Sequence, residues 1–207
     1  KTNELFFIYP GQKRMSEYTQ TRIAKATQER KWNLVKRLSY LLTHSHSAKL
    51  LAVRTVTRNK GRRTPGVDGE LWTSASEKMR AVLSLTDHQY RAQPLRRIYI
   101  PKPGKTTKRP ISIPTMYDRA MQALYALALQ PIAETTADTR SFGFRLYRCA
   151  QDASRYAYTC LRGKSSNSWI LEGDIKGCFD NIAHEWLREH VPMDQSVLNQ
   201  FLRAGYI

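Results

Sequence analysis

Residues 96–114 constrain this 207-residue chain more than any other stretch. Arg96 to Pro101 reads RRIYIP and Arg109 to Pro114 reads RPISIP. Both alternate, with Ile98 and Ile100 on one face of the first segment and Ile111 and Ile113 on one face of the second. Period-two alternation is the mark of a strand with one face covered. The polar KPGKTTK between the segments makes them a hairpin. Pro101, Pro103, Pro110 and Pro114 remove backbone donors, which confines that hairpin to edge pairing. The rest of the chain reads mainly as helix, so the fold class is α+β.

Ser16 to His44 is predicted helical, with a break near Glu29–Lys31 and Ser16 as N-cap. Ile23, Trp32, Val35, Leu38, Leu41 and Leu42 form its apolar stripe. A second helix runs from Ser47 to Arg58 with Leu50, Leu51 and Val53 inward, and NKGRRTPGVDG at Asn59–Gly69 is a loop. Ser74 to Leu85, Met116 to Glu134, Asp152 to Leu161, Asn181 to Val191 and Gln195 to Ala204 read as further helices. Ser168 to Asp174 (SWILEGD) reads as a short apolar strand. No repeat or low-complexity tract is present.

The charge is uneven. Residues 1–65 hold 15 basic and 3 acidic residues, and the balance turns to −2 from Asp174 onward, within a total of +17. Concentrated positive charge repels itself, so a polyanion is the natural partner, and a phosphate backbone fits best because each neutralised phosphate releases counterions. The alternative is a solvated basic face with no partner. The basic residues do not gather on one short amphipathic helix, and the run Ala123 to Ala133 is too short for a membrane span, so no membrane partner is expected. No secretory signal is read in Lys1–Tyr9. Cys149, Cys160 and Cys178 show no CxxC spacing and are expected to be reduced core thiols; with the five histidines they form no zinc pattern.

Three places carry candidate chemistry. GKT at Gly104–Thr106 is not a P-loop, since Tyr99 stands where that motif needs glycine and strand residues follow. Asp174 closes the apolar strand, where a rigidly held carboxylate suits a hard divalent cation; alternatively it caps the next turn. Phe179, taken alone, is a core residue. Lys102 and Arg109 flank the hairpin loop, where two cations can hold a triphosphate or stand solvated on an edge.

In this order the segments resemble the N-terminal half of a group II intron-encoded reverse transcriptase, or maturase. The resemblance runs from about Arg22 to Ile207 through LLTHS, LLAVRTVTRNKGRRTPGVDG, PLRRIYIPKPGKTTKRPISIPTMYDRAMQALYALAL, RSFGFRLYRCAQDA and WILEGDIKGCFDNIAHEWL. The fourth departs from the usual form, with Leu146, Tyr147 and Gln151 where Pro-Gly and a His are typical. The resemblance implies right-hand polymerase fingers and a partial palm. On it, residues 1–65 are expected to be a basic, RNA-binding helical extension, 66–165 the fingers with hairpin 96–114, and 166–207 the partial palm.

On this resemblance Asp174 is the first catalytic aspartate and, with the Ile175 carbonyl, binds Mg2+, two ions serving the complete site. Lys102, Arg109 and Phe179 bind the incoming nucleotide, Phe179 excluding a ribose 2′-hydroxyl. RNA contacts fall to Lys25, Lys36, Arg37, Lys49, Arg54, Arg58, Lys60, Arg62 and Arg63. The implied partners are group II intron RNA, an RNA template with DNA primer, and deoxynucleoside triphosphates. The implied setting is a bacterial cytoplasmic ribonucleoprotein, and an exposed edge allows a homodimer. The second metal-binding motif, Tyr-Ala-Asp-Asp, does not occur in this sequence. The chain, which opens on Lys1 rather than Met, is therefore expected to be a fragment that binds RNA without polymerising. The alternatives are an RNA-binding splicing cofactor without polymerase activity, or a retron or CRISPR-associated reverse transcriptase.

Overall fold

The computed structural model of the chain describes residues 10–104, 106–163 and 169–207. Lys105 of the hairpin loop, Ser168 at the start of the expected strand, and residues 1–9 lie outside the described residues.

The first two helices, α1 (Pro10–Gln28) and α2 (Trp32–His44), are separated where the sequence predicts a break. Arg30 adopts φ +54°, the Arg30 N–H donates to the Thr27 carbonyl at 3.0 Å, and the Lys31 N–H donates to the Ala26 carbonyl at 2.9 Å. That pair of bonds closes the last turn of α1 and satisfies carbonyls the helix leaves open. Ser16 does not cap α1. It lies inside the helix, buried at 2 % exposure, and its hydroxyl has no hydrogen-bond partner. Trp32 and Leu41 also depart from the expected stripe and stand exposed.

Helix α3 (His46–Arg58) begins at Ser45, whose hydroxyl accepts from the Ala48 N–H at 3.2 Å. It is followed by a 3-10 turn at Lys60–Arg63 and by α4 (Ala75–Ser84). Ser74 and Glu77 close a reciprocal capping box at the start of α4. Strands β1 (Arg96–Pro101) and β2 (Lys108–Ile113) pair antiparallel, with Ile98 opposite Ile111 and Ile100 opposite Arg109. The other side of β1 is partly occupied as well. The Leu95 N–H donates to the Gly205 carbonyl at 3.0 Å and the Arg97 N–H to the Ile207 carbonyl at 2.8 Å. Helix α5 (Met116–Thr136) follows the hairpin, and α6 (Ala150–Leu161), α7 (His184–His190) and α8 (Gln195–Arg203) complete the order.

The core forms around α5. Met116, Ala120, Met121, Leu124, Tyr125, Ala128 and Ile132 recur at spacings of three and four and are all buried. Ile23 of α1, Leu38 and Leu42 of α2, Val53 and Val56 of α3, Val82 of α4 and Val197 of α8 complete one cluster, which runs through both sides of residue 65. Pro131 sits inside α5 and has no N–H to give to the Leu127 carbonyl four residues earlier. The side-chain amide of Gln20 on α1 donates to that carbonyl instead, at 2.8 Å. The orphan acceptor thereby becomes a tie between two core helices.

The segment from 137 to 190 is different. Helix α6 has no buried residue. Cys149 and Cys160 are exposed and Cys178 is half-buried, so the expected core thiols are not in a core. Residues 169–174 form no strand, and Trp169, Ile170 and Leu171 are 91 %, 73 % and 96 % exposed. A strand is made by its ladder partners, and among the described residues none lies beside this stretch.

Candidate nucleotide and nucleic-acid site

The hairpin places Lys102 and Arg109 near the ends of adjoining strands. Arg109 stands opposite Ile100, and the Lys102 N–H donates to the Thr107 carbonyl at 3.2 Å across the loop. Gly104 turns that loop with φ +68°. Arg109 is exposed, Lys102 is half-buried, and neither joins an ion pair among the described residues. Tyr99 and Ile100 are exposed beside them, whereas Ile113 at the foot of β2 is buried. The hairpin is therefore anchored at its foot and open at its tip.

The nine candidate RNA-contacting cations are spread over α1, α2, α3 and the 3-10 turn. Lys25, Lys36, Arg37, Arg58, Lys60, Arg62 and Arg63 are exposed, and Lys49 and Arg54 are half-buried. None takes part in an ion pair among the described residues. Cations without a carboxylate partner leave a positive field over the helices and turn that carry them.

The Arg62–Arg63 stretch is locally ordered by groups that sequence reasoning did not single out. Arg119 in the first turn of α5 donates to the carbonyls of Gly61, Thr64 and Pro114. Gly66 is buried, and a Cβ there would stand 2.6 Å from Thr115 Cα, so only glycine lets the loop backbone touch the start of α5. Next to it, the hydroxyl of Thr115 accepts from the Asp118 N–H at 3.1 Å and donates to the Asp118 carboxylate at 2.7 Å. Asp118, only 3 % exposed, also accepts from the Tyr90 hydroxyl at 2.6 Å and from the Gln93 N–H at 3.2 Å. Burial, then the bond to the Asp118 carboxylate, pushes the Tyr90 hydroxyl far above its ordinary pKa. The Thr-x-x-Asp pattern ahead of an apolar run could have flagged the cap. Nothing local could have flagged Arg119, because two of its partners are 55 and 58 residues away.

Asp174, Ile175 and Phe179 are all exposed, Phe179 to 80 %. The buried strand end expected to hold Asp174 rigidly is thus not what the structure shows. Nor does Asp174 cap the following turn. That turn is closed by Asn181, whose side-chain amide donates to the Gly177 carbonyl at 2.8 Å, with Gly177 at φ +60°. Among the described residues the Asp174 carboxylate makes no hydrogen bond, and no hydrogen bond or ion pair joins its segment to the hairpin. No group of three or more metal-capable side chains exists among the described residues. One carboxylate and one backbone carbonyl fall short of the six oxygens that Mg2+ takes, so these two groups fit as members of a larger set and not as a site.

Farther along, the Arg145 guanidinium bridges to Glu134 at 2.6 Å and to the Asp138 carbonyl at 2.6 Å, beside a cavity of about 280 Å3 lined by Ala133, Phe144 and Leu146. Arg145 holds the Glu134 carboxyl below its ordinary pKa. Among the described residues no helix is long and apolar enough to cross a membrane.

Two family models match this chain. The N-terminal domain of reverse transcriptase covers residues 12–85, and the reverse transcriptase (RNA-dependent DNA polymerase) model covers residues 100–200. Among curated proteins, the group II intron-encoded protein LtrA of Lactococcus lactis subsp. cremoris is 35 % identical over 196 residues, which is 90 % of this chain and 32 % of that protein. Protein YkfC of Escherichia coli K12 is 36 % identical over 170 residues, 75 % of this chain and 44 % of its own. A 91 kDa protein in the cob intron of Schizosaccharomyces pombe is 33 % identical over 166 residues, 76 % of this chain and 20 % of its own. The chain thus spans less than half the length of these relatives.

Proposed function

Because this chain belongs to the reverse transcriptases and is similar to group II intron-encoded members, we propose that it is the fingers and first part of the palm of an RNA-directed DNA polymerase that also binds intron RNA. The observation that carries the reading is the placement of the exposed, unpaired cations. Seven of the nine on residues 25–63 are exposed, as is Arg109 on the hairpin, while Lys49, Arg54 and Lys102 are half-buried, and none joins an ion pair among the described residues. A surface of that kind suits a polyphosphate backbone leading to a nucleotide.

In this proposal the N-terminal helices and the loop after α3 grip intron RNA and template. Arg109 and Lys102 hold the triphosphate of the incoming deoxynucleotide, the guanidinium as a bidentate fork and the ammonium as a point charge. Phe179 screens the ribose 2′ position. Asp174 and the Ile175 carbonyl contribute part of the ligand set for Mg2+, which when bound supplies Lewis-acid stabilisation of the transferring phosphate. The Tyr-Ala-Asp-Asp motif does not occur in the sequence, and the chain by itself is expected to bind RNA without extending a primer.

The decisive measurement uses a full-length protein carrying this chain, with Asp174→Ala. DNA synthesis on an RNA template should fall to background while RNA affinity stays within about twofold of wild type. A large loss of RNA affinity would remove Asp174 from the chemistry. Full retention of synthesis would favour the second reading, an RNA-binding splicing cofactor.

A further inference from the structure

The loop between α3 and α4 hangs on one side chain. Arg119 Nε donates to the Pro114 carbonyl at 2.9 Å, one terminal nitrogen donates to the Gly61 carbonyl at 2.9 Å, and the other donates to the Thr64 carbonyl at 2.5 Å. All three guanidinium nitrogens are thus engaged by main chain, and burial draws the group below its ordinary pKa. Gly66 brings the loop backbone against Thr115 at the same place. With its carbonyls turned to Arg119, the loop keeps Lys60, Arg62 and Arg63 exposed. Pro114 directly follows β2, the strand that carries Arg109. One guanidinium therefore ties the basic loop to the foot of the hairpin.

We propose that Arg119 is a positioning residue, which fixes the basic loop of residues 59–66 against the hairpin so that RNA held by Lys60, Arg62 and Arg63 is presented toward the nucleotide held at Arg109. This rests on the reading that the loop binds RNA. Arg119 acts through the loop, because each of its three guanidinium nitrogens holds a main-chain carbonyl. Lysine keeps the charge and loses the fork, because a single ammonium cannot reach three carbonyls in the planar arrangement that guanidinium spans.

The test is a double-mutant cycle on the 207-residue chain, read by binding of a labelled RNA hairpin with a single-stranded overhang. Arg119→Lys should weaken binding roughly tenfold in the wild-type background and have no further effect once Lys60→Ala, Arg62→Ala and Arg63→Ala are present together, the signature of coupled sites. A merely structural loss would add to the loop substitutions instead of vanishing, and additivity overturns the proposal, as does undiminished binding by Arg119→Lys alone. If Lys60→Ala, Arg62→Ala and Arg63→Ala together leave affinity unchanged, the fault lies with the loop as an RNA contact, a separate failure. Gly66→Ala attacks the same docking from the loop side and should reproduce the Arg119→Lys pattern. Should both variants unfold, hydrogen exchange on the wild-type chain decides. The Arg62 and Thr64 amides, bonded to Asn59 and Gly61 carbonyls, should exchange slowly, and exchange at the rate of an unstructured chain would refute a held loop.

Discussion

At the scale of the residue, Arg30 turns the chain from α1 into α2 with φ +54°, a conformation in which glycine is the usual occupant. A β-carbon in the left-handed region costs about 1 kcal/mol. Arg30→Gly removes that strain but adds freedom to the unfolded chain, which returns about half of it. The expected outcome is a net gain of about 0.5 kcal/mol, seen as a Tm higher by about 1–2 °C in calorimetry of a chain this size. A fall in Tm would mean that the arginine side chain contributes contacts outweighing the strain. Tyr147 poses the same case at φ +58°, where the resembling family carries glycine, and its ring is fully exposed. The strain at Arg30 was not readable in the sequence, because φ is set by the neighbours that close the turn and not by the residue type occupying it, whereas at Tyr147 the glycine of the resembling family was the one signal.

At the scale of the element, the hairpin and most helices were legible because their periodicity is local. The break at Glu29–Lys31, the strand pair at 96–114 and the helices beginning near Ser74 and Gln195 all follow from patterns within a dozen residues. The strand expected at 168–174 does not form at residues 169–174. Its apolar composition states a propensity, while a strand also needs a partner, and propensity yields to context. The expected cap at Ser16 failed for a related reason, since α1 continues upstream to Pro10.

The Gln20–Pro131 tie shows what only packing reveals, a carbonyl orphaned by one helix and satisfied by another. Gln20→Leu should destabilise the chain by about 1 kcal/mol in chemical denaturation, the worth of one hydrogen bond to an otherwise unpaired acceptor. In a Pro131→Ala background, residue 131 has its own N–H to give to Leu127, and the Gln20→Leu effect should shrink toward zero. An unchanged effect there would mean that Gln20 matters through packing alone.

At the scale of the whole molecule, the charge gradient is the property that no single element explains. Residues 1–65 carry 15 basic and 3 acidic residues, yet α1, α2 and α3 all bury one face in the core around α5. Their cations are therefore driven to the opposite faces and the 3-10 turn, where they repel one another unless a polyanion lies across them. The candidate site was legible to this same degree. Sequence located the cations and Asp174 in order, but the geometry that would bring Asp174 to the hairpin is not formed by the described residues. The proposed RNA-binding surface is thus the part of the site that this chain can be asked about alone. Each phosphate contact contributes a slope of about 0.7–0.9 to the dependence of log affinity on log salt. Replacing Arg58, Lys60, Arg62 and Arg63 by alanine should flatten that slope by about 3 if all four touch phosphate, with little change in Tm because the side chains are exposed. A slope that stays as steep as wild type, despite weaker binding, would move the RNA path off the loop and onto the exposed faces of α1 and α2.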